Sequence, residues 1–80
     1  MSSEFIVYSK TGCGYCTKLV GFLEQKEIPY VKLMLGEDYS TEEFIAKFGH
    51  GSTFPRVLLD EEIIGGMKDT VTYLVENKYV

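Results

Sequence analysis

The stretch FIVYSKTGCGYC, residues 5–16, joins a short apolar segment to two closely spaced cysteines. Residues 5–8 are continuously apolar β-formers, a pattern typical of a strand that is buried on both faces. The polar residues that follow break this strand. From Cys13 to Lys26, apolar residues recur at helical spacing. The segment therefore predicts a buried strand that turns into a helix, with Cys13 at the helix N-terminus.

Outward from this segment, the sequence predicts five further elements. Ile28-Pro29 ends the first helix, because the residue before a proline is pushed out of the α region. The expected elements are a strand at 30–33, a polar turn at 36–39, a helix capped by Ser40 or Thr41 that ends at Phe48, a hairpin with strands at 57–59 and 63–64, and a helix from Met67 to about Tyr79. The order βαβαββα predicts an α/β fold with a four-stranded mixed sheet flanked by three helices.

Length and composition limit the architecture. A chain of 80 residues with 45% apolar composition leaves room for one small domain, residues 1–80. Many chains this short use disulfides to help stabilise the fold. Cys13 and Cys16 are only three positions apart, so a disulfide between them removes little unfolded-state entropy. We therefore expect the two cysteines to serve chemistry rather than stability.

The charge and the N-terminus exclude several classes of protein. A net charge of −4, from 8 basic and 12 acidic residues, argues against a nucleic-acid partner. Residues 1–4 (MSSE) lack the basic start of a secretory signal, and no window approaches 18 apolar residues. The sequence therefore predicts a cytoplasmic protein without membrane association. In that reducing compartment, a close cysteine pair is expected to be redox-active or metal-binding.

The spacing Cys-x-x-Cys is a weak signal alone, because it also forms half of many zinc sites. A zinc site within one chain would need two more ligands, yet the sequence has no third cysteine and only one histidine, His50. We therefore expect no structural metal, and we interpret His50 as an exposed loop residue. Unpaired N–H groups and the positive end of the helix dipole favour a thiolate at Cys13. The prediction is that Cys13 is an exposed nucleophile and that Cys16, one turn further in and more covered, resolves the mixed disulfide.

Two neighbours of the cysteine pair have more than one interpretation. Lys10 can add positive charge near Cys13, and a solvated loop lysine explains it equally well. Tyr15 is compatible with a site residue and with simple packing.

Three separated motifs, Cys13-Gly14-Tyr15-Cys16, Thr53-Phe54-Pro55 and Gly65-Gly66, follow one another in the chain. With them, the chain resembles a glutaredoxin over roughly residues 5–73, and Cys-Gly-Tyr-Cys stands where most dithiol glutaredoxins have Cys-Pro-Tyr-Cys. The resemblance implies a minimal thioredoxin fold and a monomer. It also implies a glutathione-dependent thiol–disulfide oxidoreductase that reduces protein disulfides and glutathione mixed disulfides. Ribonucleotide reductase is a target at family level that nothing in the sequence selects.

The resemblance further implies a glutathione site. Pro55 is expected to be cis, although cis is a minority state of about 5–6% of X–Pro bonds. The backbone of Phe54 is expected to bind glutathione or a peptide like an added strand. The glycine pair would precede a helix start that holds the γ-glutamyl end, with Asp69 available for its ammonium group. The glutathione-binding residues implied in this way are Lys10, Tyr15, Thr53, Phe54, Pro55, Gly66, Met67, Lys68 and Asp69.

Departures from the family pattern leave two alternatives open. Gly14 stands where proline is common, and glutaredoxins with a small residue there include members that hold a [2Fe–2S] cluster between two subunits, with glutathione completing the ligands. Lys68 replaces the usual Ser, Thr or Asp, and Gly51 replaces an Arg that is often present. These two departures favour a thioredoxin-like reductase that is fed by a reductase protein instead of glutathione.

Overall fold

A computed structural model of the chain describes residues 4–79, and these form four strands and three helices in the order βαβαββα. The elements are β1 Phe5–Ser9, α1 Gly14–Gln25, β2 Tyr30–Met34, α2 Thr41–Phe48, β3 Arg56–Leu59, β4 Glu62–Gly65 and α3 Met67–Glu76. This order confirms the predicted α/β fold. None of the helices in the described part of the chain is long and apolar enough to cross a membrane.

The sheet has the strand order β2-β1-β3-β4. β1 pairs with β2 in parallel, as expected for two strands joined through a helix, and it pairs with β3 in antiparallel orientation. β3 and β4 form an antiparallel hairpin, so the sheet is mixed as predicted. Because Tyr8 is paired with Arg56, the C-terminal end of β1 and the N-terminal end of β3 lie side by side at the same end of the sheet. The loop that carries the cysteines therefore lies beside the segment before β3.

The main core lies on the face of the sheet that α1 and α3 cover. Alternate residues of β1 point to this face, and Phe5 and Val7 are at most 1% exposed. The core cluster consists of Phe5, Val7, Leu19, Leu23, Ile28, Val57, Leu59 and Leu74. Full burial of an aliphatic or aromatic side chain of this size stabilises the fold by about 1.5–3 kcal/mol. These side chains fix both site-bearing helices against the sheet.

The opposite face of the sheet carries an aromatic cluster, which we define as Tyr8, Tyr39, Phe44, Phe48 and Phe54. Tyr8 points to this face from β1, and its ring centroid lies 4.9 Å from that of Tyr39 and 5.0 Å from that of Phe48. Phe44 stacks on Phe54 at 4.4 Å with an interplanar angle of 14°. The cluster thus connects α2 to the loop before β3. Ser40 caps α2 through its hydroxyl, which accepts a hydrogen bond from the backbone N–H of Glu43.

The polar turn predicted at 36–39 is wrong at its last residue. Tyr39 is only 7% exposed, and its hydroxyl donates a hydrogen bond of 2.6 Å to the carbonyl oxygen of Ser9. A tyrosine can be buried in this way because the partner satisfies its polar end. The residue is therefore an anchor between the segment after β2 and the end of β1.

α1 agrees with the predicted segment Cys13–Lys26, since Cys13 is its N-cap and Lys26 its C-cap, and the chain reverses at Glu27, which has a φ of 57°. The end of the last helix differs from the prediction. α3 ends at Glu76 rather than near Tyr79, because the chain turns at Lys78 and the Tyr79 ring then packs edge-on against Phe5 at 5.4 Å.

Candidate functional site

Cys13 is the N-cap residue of α1. Its backbone is extended, with φ −90° and ψ 107°, and its Sγ accepts a hydrogen bond of 3.3 Å from the backbone N–H of Cys16. The first turn of α1 contains no acidic residue, so no nearby carboxylate on this turn opposes negative charge on the sulfur. Cys13 is partly buried rather than exposed as expected. The N-cap position explains this, because the side chain turns back over the first helical turn.

Cys16 is buried, with 4% of its side chain exposed, as the sequence predicts. Burial, and to a smaller extent the hydrogen bond with Cys13, raise the pKa of its thiol to about 12, against the opposing effect of a hydrogen bond with the Lys10 backbone. Cys16 is therefore a neutral thiol near pH 7. The two sulfurs differ in the way that stepwise exchange requires, since one is accessible and the other is held back as a thiol.

The end of β1 is a rigid support for the cysteine loop. Ser9 is 1% exposed, and its hydroxyl donates to the carbonyl oxygen of Leu33 at 3.1 Å. Its own carbonyl oxygen accepts from the Tyr39 hydroxyl at 2.6 Å and from the Leu35 N–H at 2.9 Å. Sequence reasoning treated Ser9 only as a strand breaker. Its spacing of two from Phe5 and Val7 was the signal that it belongs to the buried face of β1.

The segment Thr53-Phe54-Pro55 lies beside the cysteine loop, and the Phe54–Pro55 peptide bond is cis, as expected. Pro55 is fully buried. The ammonium nitrogen of Lys10 lies 5.1 Å from the centroid of the Phe54 ring, within the range of a cation–π contact. Lys10 is therefore exposed to solvent with its ammonium group against this segment.

A cavity of about 550 Å³ lies between this segment, α1 and the start of α3. It is lined by Tyr15, Thr53, Phe54, Pro55, Gly66, Met67, Lys68, Val71 and Thr72. The first seven are among the nine predicted glutathione-binding residues. Sequence reasoning missed Val71 and Thr72, although their positions three and four residues after Lys68 place them on the same face of α3. A volume of this size lies within the usual range for small-molecule sites.

The other two predicted residues, Lys10 and Asp69, do not line this cavity. A carboxylate oxygen of Asp69 accepts a hydrogen bond of 3.4 Å from the Gly66 N–H, which caps α3. Gly65 has a φ of 126°, and a Cβ at this residue would lie 2.5 Å from that oxygen. A glycine is therefore required there by both backbone and space. Lys10 instead borders a second cavity of about 370 Å³, which Cys16 also lines.

Tyr15 is 64% exposed, so it does not pack into the core. The ammonium nitrogen of Lys18 lies 5.8 Å from its ring centroid.

His50 is exposed in its loop, as expected. Within residues 4–79, no group of three or more His, Cys, Asp or Glu side chains could hold a metal ion. The reactive side chains at the site are the two thiols, and Lys10 and Lys18 lie near them in the chain.

Comparison with known proteins extends these observations. Residues 5–64 match the sequence model of the Glutaredoxin family, a match that ends just before Gly65-Gly66. The chain is 32% identical over 69 residues to monothiol glutaredoxin-4 of Schizosaccharomyces pombe, which covers 86% of this chain but 28% of that protein. It is also 32% identical over 66 residues to glutaredoxin 1 of Rickettsia prowazekii, which covers 80% of this chain and 70% of that protein.

The fold is shared with solved glutaredoxin structures. The chain superposes on the crystal structure of a buckwheat glutaredoxin–glutathione complex with a TM-score of 0.72 at 23% identity, over 96% of this chain and 73% of that one. This likeness confirms the minimal thioredoxin fold. The family match over residues 5–64 and the identity with the Rickettsia protein show that the chain belongs to the glutaredoxin family, a family of thiol–disulfide oxidoreductases.

Proposed function

We propose that this protein is a dithiol glutaredoxin that reduces disulfides with glutathione as the electron donor. The observation that carries the proposal is the asymmetry of the cysteine pair. Cys13 caps α1 and is partly accessible, whereas Cys16 is buried directly behind it with its N–H 3.3 Å from the Cys13 sulfur. An accessible sulfur at a helix N-terminus with a second thiol within one turn is the arrangement that thiol–disulfide exchange needs.

The proposed reaction begins when the Cys13 thiolate attacks one sulfur of the substrate disulfide. The substrate S–S bond breaks, a mixed disulfide forms on Cys13, and the other substrate sulfur leaves as a thiolate that takes a proton from water. The Cys16 thiol then loses its proton and attacks the Cys13 sulfur. This step releases the second substrate thiol and leaves a Cys13–Cys16 disulfide, so the substrate gains two electrons and the protein loses them.

Two molecules of glutathione return the protein to the dithiol form. The first glutathione thiolate attacks Cys13 and frees Cys16, and the second attacks the bound glutathione sulfur, which gives glutathione disulfide and the Cys13 thiolate.

The cavity of about 550 Å³ supports this part of the proposal, because seven of the implied binding residues line it. The N–H groups of Met67 and Lys68 lie in the first turn of α3, where they have no intrahelical partner and favour a carboxylate. The buckwheat protein of the same fold was crystallised with glutathione.

The test uses two serine variants and two substrates, one a glutathionylated peptide and the other a peptide with an internal disulfide. Cys13→Ser is expected to abolish the reduction of both, because it removes the attacking sulfur. Cys16→Ser is expected to abolish reduction of the internal disulfide and to retain deglutathionylation, which needs only Cys13. Activity in Cys13→Ser would show that the nucleophile is assigned wrongly.

The alternative of a protein donor is tested in the same assay. Asp69 caps α3 and does not line the cavity, which leaves the ammonium group of glutathione without the carboxylate that the resemblance implies. Turnover with glutathione is compared with turnover with a thioredoxin reductase and NADPH. Faster turnover with the reductase would show that a reductase protein, and not glutathione, is the preferred electron donor.

The cluster-binding alternative rests on Gly14. A Cβ at this residue would meet no atom within 4 Å, and position N1 of a helix accepts proline, so Gly14→Pro is expected to fold. Anaerobic reconstitution with iron and sulfide, followed by absorption spectroscopy and sizing, tests both forms. A coloured dimer of the natural chain that Gly14→Pro cannot form would support a [2Fe–2S] cluster, and a colourless monomer would reject it.

A further inference from the structure

The charged residues of this acidic chain are segregated. Residues 5–23, 44–59 and 63–68 contain five of the eight basic residues and none of the twelve acidic ones. These are the segments that supply the cysteine loop, the cis-proline segment and the start of α3. A chain with a net charge of −4 therefore builds most of its candidate site from segments that carry only positive charge, although Asp69 lies in the first turn of α3.

Four of these cations are positioned around the cavity by specific contacts. Lys68 lines the cavity directly. The other three lie against residues that line it: the Lys10 ammonium over the Phe54 ring at 5.1 Å, the Lys18 ammonium over the Tyr15 ring at 5.8 Å, and the Arg56 Nε donating to the Thr53 carbonyl at 3.1 Å. The positive charge at the site is thus a consequence of the fold as well as of the sequence.

The carboxylate nearest to the cavity along the chain is already engaged. Asp69 follows the lining residue Lys68, but its oxygen accepts the Gly66 N–H and it does not line the cavity. The single carboxylate of α1 is Glu24, near the far end of the helix, where it accepts a hydrogen bond from Tyr30. Asp69 keeps its negative charge beside Lys68, so the four cations outweigh one neighbouring carboxylate at this cavity.

We propose that the protein substrates are disulfides within acidic segments, whose Asp and Glu residues flank the cysteines and contact these cations. This inference rests on the proposed function and adds a substrate class to it. Acidic partners are repelled by the rest of this acidic chain, so attraction is confined to the mouth of the site. Such complementarity accelerates association in the productive orientation and disfavours basic partners.

The reaction isolated for the test involves no glutathione. The Cys13 thiolate attacks a peptide disulfide, the peptide S–S bond breaks, and the departing peptide thiolate takes a proton from water. The Cys16 thiol then releases its proton and attacks the Cys13 sulfur, which frees the second peptide thiol. The peptide is reduced and the cysteine pair is oxidised by two electrons, so the rate reports on the peptide alone.

The experiment compares two peptides that share one internal disulfide and differ only in flanking Glu or flanking Lys residues. Reduced protein is mixed with each peptide, quenched in acid, alkylated and analysed by chromatography. Each peptide is also reduced with dithiothreitol in a parallel reaction. The ratio of the rates for the Glu and Lys peptides with the protein is divided by the same ratio with dithiothreitol, which corrects for the intrinsic reactivity of the two disulfides. We expect a corrected preference of about tenfold for the Glu peptide at about 20 mM NaCl, decreasing towards one at about 500 mM as the charges are screened.

Two charge reversals localise the effect. Lys68→Glu changes a cation that lines the cavity and should reduce the corrected preference at least fivefold. Lys26→Glu is the matched control, because it makes the same change in net charge at the C-cap of α1. The twelve residues of that helix place it about 18 Å from Cys13, a distance close to the Debye length of about 20 Å at 20 mM NaCl, so the effect of this reversal is weakened by distance and partly screened. The control should therefore keep most of the preference and lose less of it than Lys68→Glu does.

The possible outcomes separate the two proposals. A corrected ratio near one, a preference that salt does not change, or equal effects of the two reversals would each overturn the acidic-substrate inference and leave the proposed oxidoreductase in place. Failure to reduce either peptide under any condition would instead reject the proposed function.

Discussion

The most informative perturbation of the scaffold is Tyr39→Phe, which removes one oxygen atom. Tyr39 is 7% exposed, and its hydroxyl donates to the Ser9 carbonyl oxygen at 2.6 Å. The ring contacts remain in the variant, since they do not involve the hydroxyl. The Ser9 carbonyl also keeps a partner, the Leu35 N–H at 2.9 Å, so no buried acceptor is left unsatisfied. The expected loss is therefore that of one ordinary hydrogen bond, about 1 kcal/mol, rather than the full desolvation penalty of up to about 3 kcal/mol.

Urea unfolding measures this loss, and thermal unfolding should show a decrease in Tm of about 4–8 °C for a domain of this size. Tyr30→Phe is the matched control, because it deletes the same atom from an exposed hydrogen bond to Glu24 and should cost less than about 0.5 kcal/mol. Equal losses in the two variants would refute the anchoring role of Tyr39. A loss above about 3 kcal/mol would show that the Leu35 N–H does not satisfy the Ser9 carbonyl.

The pH dependence of the same variant gives a second measurement. Burial raises the pKa of Tyr39 above its ordinary value of 10.0. The folded protein therefore holds the neutral phenol, and the stability linked to it is complete below pH 10 and is lost as the pH rises above that value, where the unfolded chain ionises. Phenylalanine does not titrate. The difference in unfolding free energy between the natural chain and Tyr39→Phe should thus become smaller above pH 10, and a constant difference would contradict the reasoning.

Three further predictions address the core, a glycine and the buried thiol. Leu74→Ala empties a fully buried site and should cost about 2–5 kcal/mol in urea unfolding, whereas Val75→Ala, at a residue that is 56% exposed, should cost less than about 0.5 kcal/mol; similar losses would contradict the burial difference. Gly65→Ala should cost more than about 1 kcal/mol because of its φ of 126° and the overlapping carboxylate, while Gly21→Ala, with no atom within 4 Å, should stabilise by about 0.5–1 kcal/mol; two stabilising variants would contradict this. Because the pKa of Cys16 is raised from 9.0 to about 12, the reduced protein should lose stability as the pH rises above 9, and Cys16→Ala should lose less in urea titrations at each pH.

The elements of the fold were predictable because their periodicities are local. The apolar run of β1 and the helical spacing after Cys13 define a strand and a helix without reference to the rest of the chain. The burial of Tyr39 was not predictable in the same way. It depends on the Ser9 carbonyl, which lies 30 residues away in sequence, and a tyrosine within a polar run gives no sign of such a partner. Long-range pairing therefore changed an expected surface turn into part of the interior.

The candidate site, like the fold, could be predicted only in part from the sequence. The cysteine loop and the cis-proline segment meet because β1 and β3 pair in antiparallel orientation, a pairing that the predicted order of elements did not specify. The side-chain direction of Lys10 depended on a contact outside its own motif, and that of Asp69 depended on capping of the start of α3. Lys10 lies over the Phe54 ring, a residue distant in sequence, and Asp69 turns back to the Gly66 N–H. A motif thus located the site, and the contacts around it determined which side chains line the cavity.

The position of the cysteine pair relative to the core cluster determines how oxidation and reduction of the pair affect the fold. α1 is fixed by Leu19 and Leu23, which belong to the core cluster, whereas Cys16 is buried but is not part of that cluster, and Cys13 lies at the helix end. A disulfide between residues three apart closes a smaller loop than the 15-residue case, which is worth about 3 kcal/mol, so oxidation changes the unfolding free energy less than a structural disulfide does. Oxidation of the pair is therefore expected to change the free energy of unfolding by less than about 3 kcal/mol. The cysteines can be oxidised and reduced at the edge of a sheet that remains packed on both faces.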